Sequence, residues 1–358
     1  MKVGILTLHK ANNYGAVLQT YALQKYLLAH NIKAEVIDFR PNVVVNKAQR
    51  SLINKMLKIL SEPVDYIIKK RKQGKFNDFR NNYINISKTT FFGDEQISKN
   101  PPFYDLFIVG SDQIWNTDIT HDSKAFFLNF VQKGHKISYA ASLGKDDFSE
   151  TEKKYIKEYL GSFEAISVRE KLLQKKLNTE FSIHSEHVLD PVFLLDKEEW
   201  LEIASEIRLP KEYVLCYMME YSQELIDHTK QVASQKNCTP LFISLSNSSF
   251  SGKKLKNIGP TEFIYIFVNA RYICTNSFHG TAFSLLFKKD FTVVRHSRLN
   301  SRISNLIELV GLKKRFLDDA NHTMKEIEYM NPTEKLRREI NKSQEYLRNI
   351  FYSSKGIR

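Results

Sequence analysis

Cysteine is scarce in this sequence, and its few copies argue against two kinds of structure. Cys216, Cys238 and Cys274 are odd in number and widely spaced, so they form neither a metal-ligand pattern nor a disulfide framework. We therefore expect no metal site and a reducing, cytoplasmic environment. Long apolar runs are missing too, since no stretch approaches the roughly 18 residues that a membrane span requires. The apolar run at residues 2–8 is too short and too early for a signal peptide.

Several familiar catalytic and binding motifs are also absent. The sequence holds no Walker phosphate loop, no zinc-ligand spacing, no nucleophile elbow and no nucleic-acid-binding signature. The turn after the first apolar run lacks the three-glycine dinucleotide fingerprint and its downstream acid. These absences argue against nucleic acid as a partner and leave function to be inferred from motifs of lower individual specificity.

Basic residues are in excess, with 53 Lys and Arg against 40 Asp and Glu, which gives a formal charge of +13. Such a surplus suggests an anionic partner, whether nucleic acid, a phosphorylated small molecule or a membrane surface, and general surface charge is the alternative. Part of the surplus is local and is opposed by few acids: Arg50, Lys55, Lys58, Lys69, Lys70, Arg71, Lys72 and Lys75.

Apolar residues recur at helical spacing through the same stretch, which predicts a basic helical insertion at about 48–80. One interpretation is a helix that packs on the first domain with solvated lysines. The other is an interfacial segment that contacts anionic lipid through residues 50–75, since each Lys or Arg near such a surface contributes roughly 1 kcal/mol. The second interpretation makes the protein peripheral at the inner face of the plasma membrane.

Short apolar runs alternate with helical patterns in both halves, which predicts an α/β fold with parallel sheets. The predicted strands are residues 2–8, 34–39, 106–109, 136–140, 165–168, a run ending at 187–189, 213–218, 241–244, 272–275 and 291–294. The alternation pauses between about 195 and 210. We therefore predict Rossmann-like domains at 1–200 and 201–330 with a ligand cleft between them, and a final helix at 331–358 that crosses back to the first domain.

The strongest local feature runs from Tyr272 to Thr281 and reads as a buried strand, a turn of small residues and the start of a helix. Backbone N–H groups at a helix start favour an anion. Ser277 and Thr281 add hydroxyl donors, and Gly280 allows close backbone approach. His279 would lie beside the anion, where an imidazole can protonate a substrate or hold a phosphate oxygen. A histidine with a purely structural hydrogen bond is the alternative.

Polar residues also follow two predicted strands of the first domain. Arg169 comes just after one strand, where its fork suits a carboxylate or phosphate, and a salt bridge with Glu170 is the alternative. Ser111 and Asp112 follow another strand, and Asp112 is a candidate base or sugar-hydroxyl ligand, or else an N-cap. Trp115 is either a stacking platform for that sugar or a core residue.

Asn12, Asn13 and Tyr14 follow the first predicted strand. Amides and a phenol at such a turn suit recognition of hydroxyls or phosphate, although asparagine-rich turns are common for local reasons. This motif is therefore weak when taken alone.

A basic cluster follows the last predicted strand. Arg295, His296 and Arg298 lie close together in sequence, and Arg302 comes soon after. Guanidinium groups beside one strand end make a credible anion clamp, and solvated helix charge is the alternative for Arg302.

Taken in order, these segments resemble the polysaccharide pyruvyl transferase family. The matching stretches are residues 12–19 with 21–24, 105–115, 137–142, 166–170, 189–191, 260–263 and 276–281. Each stretch alone is weak, but the ordered set is specific and spans most of the chain.

The resemblance implies a GT-B-like architecture, phosphoenolpyruvate as donor substrate with no cofactor, and as acceptor a sugar of a bacterial polysaccharide or of its polyprenyl-linked precursor. The first domain would bind the acceptor through Asn12, Asn13, Tyr14, Ser111 and Trp115. The second would bind the donor through Ser277, Gly280, Thr281, Arg295 and Arg298. His279 is similar to the family's catalytic histidine and Arg169 to its donor-binding arginine, with Asp112 as the candidate for activating a hydroxyl.

This chain departs from the family pattern at one position. Some members carry an arginine two residues before the histidine, where this chain has Ser277, so Arg295 and Arg298 would have to compensate. A nucleotide-sugar glycosyltransferase of the same fold, or a non-enzymatic basic protein that binds glycans or membranes, are the alternatives.

Overall fold

A computed structural model describes residues 1–41, 63–244, 252–295 and 301–352. The chain divides into two compact units. Unit 1 comprises Met1–Leu194 and Ile340–Arg358, and unit 2 comprises Leu195–Glu339. The division after residue 194 lies at the start of the interval in which the sequence predicted a boundary. The last helix, Met330–Tyr352, contributes residues to both units. The predicted insertion up to residue 62, and Arg298 with His296, lie outside the described residues.

Unit 1 is built on a parallel sheet of seven strands. They are β1 Lys2–Leu6, β2 Lys33–Arg40, β3 Ile86–Phe92, β4 Leu106–Val109, β5 His135–Ala141, β6 Ala165–Val168 and β7 Glu186–His187. Their order across the sheet is β3-β2-β1-β4-β5-β6-β7. Central strands such as β4 are buried along their whole length, as continuous apolar runs in parallel sheets require. The strand order reverses between β1 and β4, the position where ligands of such sheets usually bind.

The helices of unit 1 lie between these strands. They are α1 Tyr14–Ala29, α2 Pro63–Tyr83, α3 Gly93–Lys99, α4 Thr117–Thr120, α5 Glu150–Tyr159 and α6 Lys171–Glu180. Asn13 caps α1, its Oδ1 accepting a hydrogen bond from Ala16 N at 3.3 Å. The second half of α2 packs on α1, with the rings of Tyr14 and Phe76 5.1 Å apart. The described end of the predicted insertion is therefore a helix packed on unit 1.

Unit 2 repeats the architecture with a smaller parallel sheet. Its strands are β8 Tyr213–Met218, β9 Thr239–Ser244, β10 Lys253–Lys254, β11 Tyr272–Thr275 and β12 Phe291–Val293, in the order β10-β9-β8-β11-β12. Its helices are α7 Lys197–Glu202, α8 Gln223–Gln235, α9 Pro260–Asn269, α10 Phe278–Leu286 and α11 Ser301–Val310, followed by α12 Met330–Tyr352. Here the order reverses between β8 and β11. Among the described residues no helix is both long and apolar enough to span a membrane.

Candidate functional site

Ser277 caps the helix that begins after β11. Its hydroxyl accepts a hydrogen bond from Gly280 N at 3.3 Å, and its N–H donates to Thr275 Oγ1 at 3.0 Å. Thr281 is fully buried, and its Oγ1 donates to Ser277 O at 3.0 Å. The strand, turn and helix start are present, but the hydroxyls predicted to bind a donor make their hydrogen bonds within the turn itself.

Gly280 serves internal packing. A Cβ at this position would lie 2.3 Å from Thr275 Oγ1 and 3.0 Å from Tyr217 Cδ1. The glycine therefore lets α10 approach β8 and β11 closely. The sequence predicted a glycine here so that a ligand could approach the backbone, whereas the structure shows it packed against Thr275 and Tyr217.

His279 and Arg302 flank the same phenyl ring at the start of α10. The imidazole lies edge-on to Phe278, with the ring centroids 5.2 Å apart. The Arg302 guanidinium, which comes from α11, lies 5.9 Å from the centroid of the Phe278 ring. Both residues are largely buried. An imidazole can transfer a proton near neutral pH, and a guanidinium can bind an anion.

Arg295, a member of the predicted clamp, is engaged by its own neighbours. Nε donates to Asp318 Oδ2 at 2.8 Å and Nη1 donates to Ser304 Oγ at 3.0 Å. The guanidinium also lies 4.0 Å from the centroid of the Phe316 ring. These contacts account for Arg295 without a ligand. Arg302 differs from it, since its guanidinium approaches the first residue of α10, Phe278.

Asn276 joins the two loops that flank the switch point of unit 2, a role that the sequence pattern does not assign to it. Its Oδ1 accepts from Met219 N at 2.8 Å and its Nδ2 donates to Glu220 O at 2.7 Å. The first of these loops follows β8, and Asn276 itself follows β11. The side chain thereby fixes the turn that carries His279.

Arg169 directly follows β6 and is buried among carboxylates. Nη1 donates to Asp190 Oδ2 at 2.5 Å and Nη2 donates to Ser142 Oγ at 3.1 Å. Asp112 Oδ1 is 3.6 Å from Nη2, and Glu170 Oε1 is 3.9 Å from Nε. Burial lowers the pKa of Arg169, but the surrounding carboxylates outweigh it and raise that pKa. The fork that the sequence predicts for a donor carboxylate or phosphate is bonded here to Asp190 through Nη1 and to Ser142 through Nη2.

Asp112 is the outermost carboxylate of this group, with its side chain 16% exposed. Its backbone is left-handed, with φ at 71°. Ser111 is fully buried instead, and its hydroxyl donates to Ala140 O at 2.8 Å. Of these two neighbours, Asp112 is the one that can meet a ligand, and the acceptor contact predicted for Ser111 is not available.

Trp115 is a core residue, and the prediction that it forms a stacking platform for a sugar is wrong. It is 1% exposed, and its indole N–H donates to Phe126 O at 3.1 Å. Its ring stacks on Phe127, with centroids 6.0 Å apart. The aromatic faces are enclosed by the protein.

The three polar residues of the turn after β1 differ in exposure. Asn12 is exposed, and its Oδ1 accepts from Arg80 Nη2 at 2.9 Å. Asn13 is the N-cap of α1. Tyr14 is 1% exposed and packs on Phe76, so it belongs to the contact between α1 and α2 and does not face a ligand.

A buried glutamine joins the loops at the switch point of unit 1. Gln19 Nε2 donates to Thr7 Oγ1 at 3.0 Å, and Gln19 Oε1 accepts from Ser111 N at 3.2 Å. Thr7 follows β1 and Ser111 follows β4. The sequence signal for this residue was its place in the family-like stretch 12–19. The sequence does not show which residues its side chain contacts.

The two buried cysteines have a structural role. Cys216 and Cys274 are neighbours in the register of β8 and β11 and are fully buried. Burial raises the pKa of Cys216 to about 12, which keeps that thiol protonated and unreactive. Across residues 1–41, 63–244, 252–295 and 301–352, no group of three or more His, Cys, Asp or Glu side chains could hold a metal ion.

Comparisons with known proteins identify a family and a fold. A family model described as polysaccharide pyruvyl transferase matches residues 13–298. No curated protein matches this chain. The S. aureus MnaA–UDP structure is 12% identical, covers 99% of this chain and 99% of its own, and has a TM-score of 0.51. A Methanocaldococcus jannaschii UDP-GlcNAc 2-epimerase bound to UDP-GlcNAc and UDP is 12% identical, covers 94% and 99%, and also has a TM-score of 0.51. At these identities the likeness shows the fold alone, which is of the GT-B class with two Rossmann-like units.

Proposed function

This chain belongs to the polysaccharide pyruvyl transferase family, and we propose that it takes the pyruvyl group from phosphoenolpyruvate and attaches it to a sugar as a cyclic ketal. The observation that carries this proposal is the turn after β11. There the histidine of the matching motif lies in the first turn of α10 and contacts the Phe278 ring, which the guanidinium of the buried Arg302 also approaches. The turn also lies at the switch point of its sheet, where ligands of this fold class bind.

The reaction needs one proton donor and two hydroxyls. Protonation of the phosphoenolpyruvate methylene carbon makes a methyl group and leaves an oxocarbenium-like centre at carbon 2. A sugar hydroxyl attacks that carbon and loses its proton, and the bond between carbon 2 and the phosphate oxygen then breaks. A second hydroxyl of the same sugar then attacks carbon 2 and closes the ketal, and its proton passes to the released phosphate. The products are the ketal and inorganic phosphate.

We assign the first proton transfer to His279, because an imidazolium is a suitable general acid near neutral pH. The donor carries several negative charges, so its pocket requires cationic or N–H donors. Arg302 supplies such a charge in the proposal, and so makes up for the arginine that some family members have where this chain has Ser277. Ser277 and Gly280 hold the turn in shape through the hydrogen bond between them.

In unit 1 we assign the activation of an acceptor hydroxyl to Asp112, with Asn12 as an acceptor ligand. The Asp112 carboxylate lies 3.6 Å from Arg169 Nη2. A direct contact between Arg169 and the donor, the role implied by the resemblance, would require an anion to replace Asp112. That carboxylate is more distant from Nη2 than the Ser142 hydroxyl is, and it is the most exposed member of the group.

The described part of the basic insertion supports a membrane-surface contact. Lys69, Lys70 and Arg71 are exposed on α2 and are called the basic face below. Val64 and Ile67 on the same helix are 67% and 48% exposed. Exposed apolar side chains next to exposed cations suit reversible binding to anionic lipid, where a polyprenyl-linked acceptor would reside. The enzyme would then work on the cytoplasmic side, where phosphoenolpyruvate is made.

Product mass tests the reaction directly. The full chain is incubated with phosphoenolpyruvate and candidate nucleotide-linked or lipid-linked sugars, and the sugars are analysed by mass spectrometry. We expect a mass gain of one pyruvyl ketal together with an equal amount of released phosphate.

A parallel incubation replaces phosphoenolpyruvate with nucleotide sugars such as UDP-GlcNAc. A gain of one sugar residue in this arm, with no ketal in the first, would identify a glycosyltransferase and overturn the proposal. Phosphate release with no change in the mass of any sugar would also count against it, because it would mean hydrolysis of the donor.

A further inference from the structure

Two cationic side chains meet one carboxylate at the ends of β1 and β2, away from the residues assigned so far to catalysis. Asp38 Oδ2 accepts from Arg40 Nη2 at 3.1 Å, and Asp38 Oδ1 is 3.5 Å from Lys10 Nζ. The same carboxylate contacts Thr90 Oγ1 at 2.8 Å and His9 Nε2 at 3.2 Å. Asp38 is therefore already satisfied by its neighbours, and it holds the pair of flexible cations in place.

Arg80 adds a third cation to this group. It is 4% exposed, and its Nη2 donates to Asn12 Oδ1 at 2.9 Å and to Asn77 Oδ1 at 2.7 Å. Its Nη1 donates to the carbonyl oxygens of His9 and Ala11, both at 3.5 Å. All of these acceptors are neutral oxygens, whereas a guanidinium stays charged in proteins.

The group as a whole carries an excess of positive charge. Lys10, Arg40 and Arg80 are three cations against the one carboxylate of Asp38, so two positive charges remain without an anion among the described residues. The pKa of Lys10 is lowered, mainly by burial. Asp38 opposes this change, and the charges of Arg40 and Arg80 add to it. An anion bound here would relieve this repulsion.

The cluster is open to a ligand at the edge of the sheet where ligands bind. The side chains of Lys10 and Arg40 are 38% and 34% exposed. Asn12 is exposed as well. Since Arg80 can only donate hydrogen bonds, it fixes the Asn12 amide with its oxygen inward, which leaves the amide nitrogen as a donor. Lys10 and Arg40 thus share one carboxylate, and the Asn12 amide is joined to the same loop through Arg80.

We infer that Lys10, Arg40 and Asn12 bind a phosphate or diphosphate group of the acceptor, with Arg80 holding the loop and adding charge. This inference rests on the proposed function and narrows its acceptor to a phosphorylated sugar or a sugar linked through diphosphate. A dianionic phosphate matches the two positive charges in excess, and charge-assisted hydrogen bonds to its oxygens are the strong kind. A neutral glycan offers nothing that would compensate these charges.

Calorimetric titration with inorganic diphosphate tests the site on the full chain. The variant is Lys10→Gln with Arg40→Gln, and Arg80 is left in place because the loop is built around it. The control is Lys88→Gln with Lys133→Gln, which removes the same charge from exposed positions elsewhere in unit 1. We expect the Kd for diphosphate to rise about tenfold or more in the variant, as loss of charge-assisted contacts implies. The control should match the parent. Circular dichroism confirms that both variants fold.

Two binding results would overturn the site. One is an unchanged Kd in the cluster variant. The other is an equal loss in the variant and the control, which would mean general surface attraction. Titration with UDP separates the two sources of diphosphate: binding no tighter than that of inorganic diphosphate means that the nucleoside is not recognised and favours a lipid-linked acceptor.

Steady-state kinetics tests whether the cluster binds the acceptor or the donor. The cluster variant should raise the KM for the acceptor and leave the KM for phosphoenolpyruvate unchanged. A raised KM for phosphoenolpyruvate alone would make the cluster part of the donor site and overturn the acceptor assignment. One outcome separates the two proposals. If the parent makes no ketal, but the cluster variant binds diphosphate more weakly than the parent and the control do, the proposed function fails and the anion site stands.

Discussion

Replacing Arg169 with methionine should destabilise the protein by about 3–5 kcal/mol, the usual cost of breaking a buried ion pair from one side. Methionine keeps an apolar stem but removes the charge. Asp190, whose side chain is fully buried, would lose a guanidinium that now lies at 2.5 Å. Glu170 is 3% exposed and lies within 3.9 Å of the same group. The cost arises because these carboxylates would lose their cation where water does not reach.

The size of the effect can be checked in two ways. For a folding unit of 150–250 residues a loss of 1 kcal/mol lowers Tm by about 2–4 °C, so the expected fall is roughly 6–20 °C. Adding Asp190→Asn to Arg169→Met should restore part of the lost stability, because the carboxylate that lost its partner is removed with it. Lys153→Met, which breaks an exposed pair with Glu150, should leave stability nearly unchanged.

Urea unfolding followed by circular dichroism provides the free energies for the parent, the single variants and the double variant. A loss for Arg169→Met as small as that for Lys153→Met would refute the reasoning, since the buried carboxylates would then not depend on the guanidinium. Strict additivity of Arg169→Met and Asp190→Asn would refute it as well. If the expected result is obtained, a low activity of Arg169 variants cannot be assigned to donor binding until their folded fraction is measured.

Four further predictions test individual parts of the structure. His279→Ala should lower kcat about a hundredfold or more, the usual scale for a general acid, and near-parental turnover of the folded variant would remove it from the mechanism. Gly280→Ala should cost about 1–3 kcal/mol in urea unfolding because its methyl meets Thr275; a negligible loss would mean that the turn can yield. Burial, and then the charge of His322, lowers the pKa of His228 from 6.5 to about 4. Between these two pKa values the unfolded chain binds more protons than the folded protein, so the free energy of unfolding falls as the pH drops from 6.5 to about 4. His228→Gln should flatten this part of the curve of unfolding free energy against pH. An unchanged curve would contradict that assignment. Changing the basic face to glutamine should reduce co-sedimentation with anionic vesicles, and parental binding should weaken as salt rises; equal binding by the variant, or none by the parent at low salt, would leave α2 as a packing helix.

The strands that the sequence predicts well are those buried on both faces. The predictions 106–109, 165–168, 213–218 and 272–275 coincide with β4, β6, β8 and β11. A central parallel strand must be apolar along its whole length, so its limits are visible in composition. The strand β3 was missed because it lies at the edge of the sheet, where most of its side chains are half-buried or exposed and Phe91 is the buried one. Its mixture of lysine, threonine and serine carries no clear period.

The candidate site was predictable in position but not in detail. Polar residues directly after buried strands do lie at the ligand edge of each sheet, as the order of elements requires. The sequence does not indicate which way a side chain turns there, so Trp115 and Ser111 were expected at a ligand and are buried instead. No feature of the sequence singled out Arg80. It is one basic residue among many on its helix, and its partner Asn12 lies 68 residues earlier in the chain.

Both units use the same device to hold their candidate residues, although their sequences share no repeat. In unit 1 the amide of Gln19 connects the loops after β1 and β4, and in unit 2 the amide of Asn276 connects the loops after β8 and β11. Each of these strand pairs flanks the point where the sheet order reverses. An amide suits this task because it donates and accepts at once without adding charge near an anionic substrate. The loops are thereby ordered before a ligand arrives, so less binding energy is lost in ordering them and more remains to stabilise the transition state.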